Sequence, residues 1–124
     1  MRIAIWHNLP SGGGKRALYD QVRGLVAMGH EVEAWCPPTA DRGFLPLSDL
    51  VPEHVVPLSL KVPTGTGVPI LQKLRPLHWS ARCRLRAMDR HSRECARQIQ
   101  GKGFDLLFAA SCIFFHTPAI ARFI

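Results

Sequence analysis

The chain has 124 residues, enough for one hydrophobic core and too few for two domains of ordinary size. It is 47% hydrophobic with a mean hydropathy of +0.02, the balance of a globular α/β domain. No apolar run approaches the roughly 18 residues of a membrane-crossing helix. The formal net charge of +7 excludes an acidic protein and directs attention to anionic partners.

The segment Arg2 to Leu9 is almost wholly apolar, as a strand covered on both faces is. A glycine loop, Pro10-Ser-Gly-Gly-Gly-Lys-Arg16, leads into a helical repeat with Leu18, Val22 and Leu25 on one face. Gly29 follows the last periodic residues, where a helix C-cap takes positive φ. Val32 to Cys36 then reads as a second strand. So short a crossover makes the two strands parallel and the connection right-handed. The fold class expected is α/β, a Rossmann-like parallel sheet flanked by helices, with ligands held where a strand ends and the next helix begins.

The loop is the first candidate site. Gly12, Gly13 and Gly14 allow close approach of a ligand to the backbone. The helix start supplies free N–H groups and partial positive charge, and Lys15 and Arg16 add full charges. The established phosphate motifs are absent. A Walker A loop needs glycine where Leu9 stands and Ser or Thr where Arg16 stands. The dinucleotide pattern breaks at Ala17, and the second strand ends in Cys36-Pro37-Pro38 rather than at an acidic residue.

From Pro37 to Arg75 the chain is proline-rich and loop-like, with a third strand expected within Glu53 to Ser59. Loops this long in a compact domain are usually functional or mobile. The segment Leu71 to Lys102 holds nine Lys or Arg against Asp89 and Glu94, which accounts for the whole excess charge. It reads as a helix with a narrow apolar face of Ala81, Leu85, Met88, Ser92, Cys95 and Ile99. Arg82, Arg86, Arg90, Arg93 and Arg97 form a stripe beside that face. The stripe is either a solvated surface or a surface for anionic lipid headgroups. Nucleic acid is disfavoured, because Trp79 is the only stacking aromatic in the segment. Asp105 to Ala110 is expected as the fourth strand, buried and parallel. The cysteines Cys36, Cys83, Cys95 and Cys112 include no C-x-x-C pair. Cys83 and Cys95 lie about 18 Å apart along one helix, beyond disulfide reach, so reduced thiols and a cytoplasmic chain are expected.

The order of these features resembles a known family. A first strand carrying Asn8, a double glycine, a basic helix entry, "Met28-Gly29-His30-Glu31-Val32" and a strand ending in proline are similar to the N-terminal domain of GT-B glycosyltransferases, family 4. Phe104-Asp-Leu-Leu-Phe-Ala-Ala-Ser111 resembles that family's Phe-Asp-Val-Val-His strand. The likeness is good over residues 1 to 38, returns at 104 to 111, and is general between them. It implies a retaining transferase that moves a sugar from a nucleotide-diphosphate donor to a saccharide or lipid-linked acceptor, with no metal or other cofactor. It implies that Gly12 to Arg16 face the donor or acceptor and that the basic helix docks on a membrane. It also implies a second, donor-binding domain with two glutamates on one helix, which residues 1–124 do not contain, so this half alone is expected to be inactive. Phe108 and Ala110 occupy the places where the family often carries histidine. His116 is the nearby substitute, and His7, by its position at the end of the first strand, stands on the cleft side. Two rival readings remain open here: a stand-alone nucleotide- or anion-binding module, and a basic adaptor for membranes or RNA.

Overall fold

In the computed structural model, the structure describes residues 1–59 and 77–110; for residues 77–80 it describes the backbone alone. The chain runs β1 (Arg2–His7), α1 (Gly13–Ala27), β2 (Glu31–Cys36), a 3-10 turn (Leu47–Asp49), β3 (Glu53–Val55), α2 (Leu77–Gln100) and β4 (Leu106–Ala110). The four strands form one all-parallel sheet in the order β3-β2-β1-β4. This is the Rossmann-like α/β fold expected. The chain steps outward from β1 to β3 and then returns past β1 to lay down β4, so the direction of winding reverses between β1 and β4. Ligand crevices in doubly wound sheets open at the carboxyl ends of strands at such a point.

Each face of the sheet has its own core. Ile3, Ile5, Val32 and Ala34 meet Leu18 and Val22 of α1, with Leu9, Leu47 and Val51 closing the end. Ala4, Trp6, Trp35 and Leu107 meet Cys95 and Ile99 of α2, together with Val56 and Phe104. Strand alternation explains the division: odd residues of β1 and even residues of β2 face α1, and their neighbours face α2. Burial of β1 on both faces is why it reads as an unbroken apolar run.

Two boundaries and one helix face differ from the sequence reading. Helix α1 begins at Gly13, so Gly13 and Gly14 are its first turn rather than loop. Gly12 alone needs to be glycine, with φ of +141° at the N-cap. The expected third strand shrinks to Glu53–Val55, since Pro57 offers no N–H to a ladder. The buried stripe of α2 is Ala87, His91, Ser92, Cys95 and Ile99, whereas Leu85 is half exposed and Ala81 is exposed. A hydropathy count favours Leu85 over His91, but the His91 ring is accepted in the core because Trp6 Nε1 donates to its Nε2 at 3.0 Å. At the other end of α1, Gly29 takes φ of +83°, and its N–H and that of His30 close onto Val26 and Leu25 carbonyls, as a glycine C-cap does.

Candidate functional site

The carboxyl ends of β1 and β2 and the start of β3 converge under the first turn of α1. His7 ends β1, Cys36 ends β2 and Glu53 opens β3. The parallel register pairs Ala34 with Glu53. Glu53 therefore shares the α1 face with Cys36, two residues on from Ala34, and with His7. His7 Nε2–H donates to Glu53 Oε1 at 3.1 Å, and the Cys36 thiol lies 3.8 Å from the same oxygen. His7 and Cys36 have no solvent exposure and the Glu53 side chain has 4%.

The fourth member is Lys15, in the first turn of α1. Its side chain is fully buried, and its amine has no hydrogen-bond partner, nor does His7 Nδ1. Burial pushes the Lys15 amine below its ordinary value, against the opposing pull of Glu53, Cys36 and Asp41. The hydrogen bond from His7 holds the Glu53 carboxyl below the usual range against desolvation, aided by the charges of Lys15 and Arg42. Burial, reinforced by Glu53, pushes the Cys36 thiol up to about 12, so it is no nucleophile as it stands. The result is a buried, charge-compensated group of carboxylate, imidazole and thiol on the ends of three strands, with the amine of α1 above them.

The surrounding loop is tied to this end of the sheet. Thr39 Oγ1 donates to Asn8 Oδ1 at 3.0 Å, and the Asp41 N–H donates to the Leu9 carbonyl. Asp41 accepts from the N–H groups of Gly43 and Phe44, which with a further bond from Ser11 hold its carboxyl below the usual range. The start of α1 carries no side-chain cap and no acidic residue. The N–H groups of its first turn are thus left to a ligand or to solvent. The N–H of Arg16 is the first to enter the helix, bonding to the Gly12 carbonyl at 3.1 Å.

The residues expected to form the site fall into three groups. Gly12, Gly13, Gly14 and Arg16 sit at the exposed helix start. Lys15 departs from the expectation of a surface cation and points into the protein, with His7 beside Glu53. The helix geometry decides this: Lys15 falls on the same face as Leu18 and Val22, the face against the sheet. His116 and Cys112, the stretch Thr64 to Val68, and the side chain of Trp79 lie outside the described residues. Sequence reasoning missed Cys36, Glu53 and Asp41 as members of the site. The available signal was an acidic residue opening a strand, but its meeting with His7 depends on strand register.

The arginine stripe is surface. Arg82, Arg86, Arg90, Arg93 and Arg97 are all exposed. Arg93 pairs with Asp89 at 3.0 Å, and Arg97 grips Glu94 through two bonds of 2.6 and 2.9 Å, holding that carboxyl at about 2. Among the described residues, Arg82, Arg86 and Arg90 make no ion pair. No helix of the described residues is long and apolar enough to cross a membrane. Compared with known proteins, the chain matches no family model and no curated protein.

Proposed function

We propose that this chain is the N-terminal, acceptor-side half of a GT-B glycosyltransferase of family 4 type, which transfers a sugar from a nucleotide-diphosphate donor with retention. The observation that carries the reading is the uncapped start of α1, rich in glycine, at the carboxyl ends of a parallel sheet beside its switch in winding direction. An anion held there gains from the N–H groups of the first turn and from the helix dipole. In a GT-B reaction that anion is the leaving diphosphate or a charged acceptor group, and such fixed dipoles stabilise charge as it develops. Arg16 is the exposed cation available to it. Beneath that turn, the buried Lys15 amine and the Glu53 carboxylate face one another as opposite charges. Acceptors that are lipid-linked suit the unpaired Arg82, Arg86 and Arg90, which would meet anionic headgroups at the membrane surface.

The test is sugar transfer by this domain joined to its donor-binding domain, followed by nuclear magnetic resonance of the anomeric proton. Transfer with retention, absent from residues 1–124 alone, supports the reading. Turnover by residues 1–124 alone, or inversion by the two-domain protein, defeats it.

A further inference from the structure

His7, Cys36 and Glu53 carry a second meaning that the transferase reading does not use. We propose that these three side chains form a binding site for a divalent transition-metal ion of the zinc type. The inference is independent of the proposed sugar transfer.

The donor set is one imidazole nitrogen, one thiolate sulfur and one carboxylate oxygen, the mixture that borderline-soft zinc accepts. Ligand atoms around tetrahedral zinc lie about 3.5 Å apart, given metal–ligand bonds of about 2.0–2.3 Å. Here His7 Nε2 and Glu53 Oε1 are 3.1 Å apart, Cys36 Sγ and Glu53 Oε1 are 3.8 Å apart, and all three ligand atoms lie within 4.8 Å of one another. Two of the three separations are close to those of a metal site, and the third lies within 4.8 Å. The cluster is also preorganised, since each ligand stands at the end of a strand in one sheet and shares one face of it. Three protein ligands leave a fourth position for water, the arrangement of open zinc sites.

Two unpartnered polar atoms fit this assignment. His7 Nδ1 is buried with no hydrogen-bond partner, so it is free to carry the proton when Nε2 turns its lone pair to the metal. The Lys15 amine is buried beside the ligands with no partner, and a metal-bound water supplies the acceptor it lacks. The balance is simple. The thiol proton of Cys36 leaves to solvent, the imidazole proton moves from Nε2 to Nδ1, and the ion enters as one equivalent with release of one proton.

The experiment is titration of the chelator-treated 124-residue chain with cobalt(II), then displacement by zinc(II). Expected are one equivalent bound, a thiolate-to-cobalt band in the near ultraviolet, the intense visible bands of a tetrahedral site, and one proton released per ion. Cys36→Ser removes the thiolate band, and Glu53→Gln weakens binding at least 10-fold, on the order of what loss of an outer-shell partner costs. Cys83→Ser and Cys112→Ser leave the spectrum unchanged. Circular dichroism establishes that each variant is folded. Should Cys36→Ser fail to fold, X-ray absorption of the wild-type zinc complex decides, with one sulfur among the ligands expected. A folded wild-type chain without the thiolate band, a band that survives Cys36→Ser, or a zinc shell with no sulfur or with several overturns the proposal. The cluster is then a buried His7–Glu53 pair beside the Lys15 charge and nothing more.

Discussion

The two faces of the sheet each bury a histidine beside a cysteine, and they settle the same polar burden differently. On the α2 face, His91 accepts from the Trp6 indole at 3.0 Å and stands 3.5 Å from Cys95, four residues on in the same helix. The partners there are neutral, burial lowers the His91 pKa, and the Cys95 thiol is pushed up to about 12. On the α1 face, His7 and Cys36 meet a carboxylate, and Lys15 supplies the countercharge. A neutral indole makes a packing element. A carboxylate and an amine make a site that costs stability unless all members are present. The charged version lies at the carboxyl ends of β1 and β2 and the start of β3, the neutral one against α2.

Glu53 is where the contrast breaks most sharply. Glu53→Gln leaves the buried Lys15 without its countercharge and weakens the His7 bond, and we expect a loss of about 3–5 kcal/mol in urea unfolding. Combining it with Lys15→Met returns part of that loss, because both charges are then gone. If the double variant is as unstable as the sum of the singles, the two groups are not coupled. On the other face His91→Leu is a smaller injury. It removes the buried acceptor that the Trp6 N–H bonds at 3.0 Å, at about 1–3 kcal/mol, and no second charge substitution relieves it.

The pH dependence of folding sharpens the same comparison. The Glu53 carboxyl is held below its ordinary value of 4.5 in the folded state, so its contribution is present above pH 4.5 and is lost as pH falls through the folded value. Glu53→Gln should flatten the acid limb of the stability curve. The thiols act at the other end. Cys36 and Cys95 ionise at their ordinary 9.0 when unfolded and at about 12 when folded, so stability falls between those values. Lys15, held below its ordinary 10.5, opposes this: the unfolded chain keeps that proton longer, and stability rises with pH until 10.5. Two thiols against one amine leave a net alkaline loss, and Lys15→Met should steepen it. An alkaline limb unchanged by that variant would contradict the burial of the amine.

The smallest effects separate the glycines of the helix start. Gly12→Ala forces a side chain into φ of +141° and should cost about 1–3 kcal/mol. An added Cβ at Gly13 meets nothing within 4 Å, at an ordinary helical φ, so Gly13→Ala should be neutral or stabilise by up to about 1 kcal/mol. Equal melting temperatures for the two variants would contradict the placement of the α1 N-cap.

Much of this architecture is written locally and is legible in the sequence. The run Ile3-Ala-Ile-Trp6, the repeat of Leu18, Val22 and Leu25, and the turn at Gly29 specify β1, α1 and the parallel β2 without reference to anything distant. The helix boundary at Gly13 was harder, because three glycines look like a loop, and only backbone geometry shows that two of them are helical. The inward face of α2 was misread at Leu85 because a buried histidine is permitted by a partner, Trp6, that lies 85 residues away. The site was legible by half. His7 and the glycines are marked by position, but Lys15 as a buried group and Glu53 as its countercharge depend on which strand end lies beside which. That is a matter of register among β1, β2 and β3, and no local pattern carries it.

The most direct test of the account is sugar transfer by the Gly13→Val variant of the proposed two-domain enzyme, measured beside its melting temperature. Gly13 lies at the exposed start of α1 with open space where a side chain would go, so valine there leaves the core untouched and fills only the space that the proposed ligand would take. The account predicts loss of most of the transfer activity with a melting temperature within a few degrees of wild type. Full activity in the folded variant would contradict it, and would reduce the helix start to a turn in the chain.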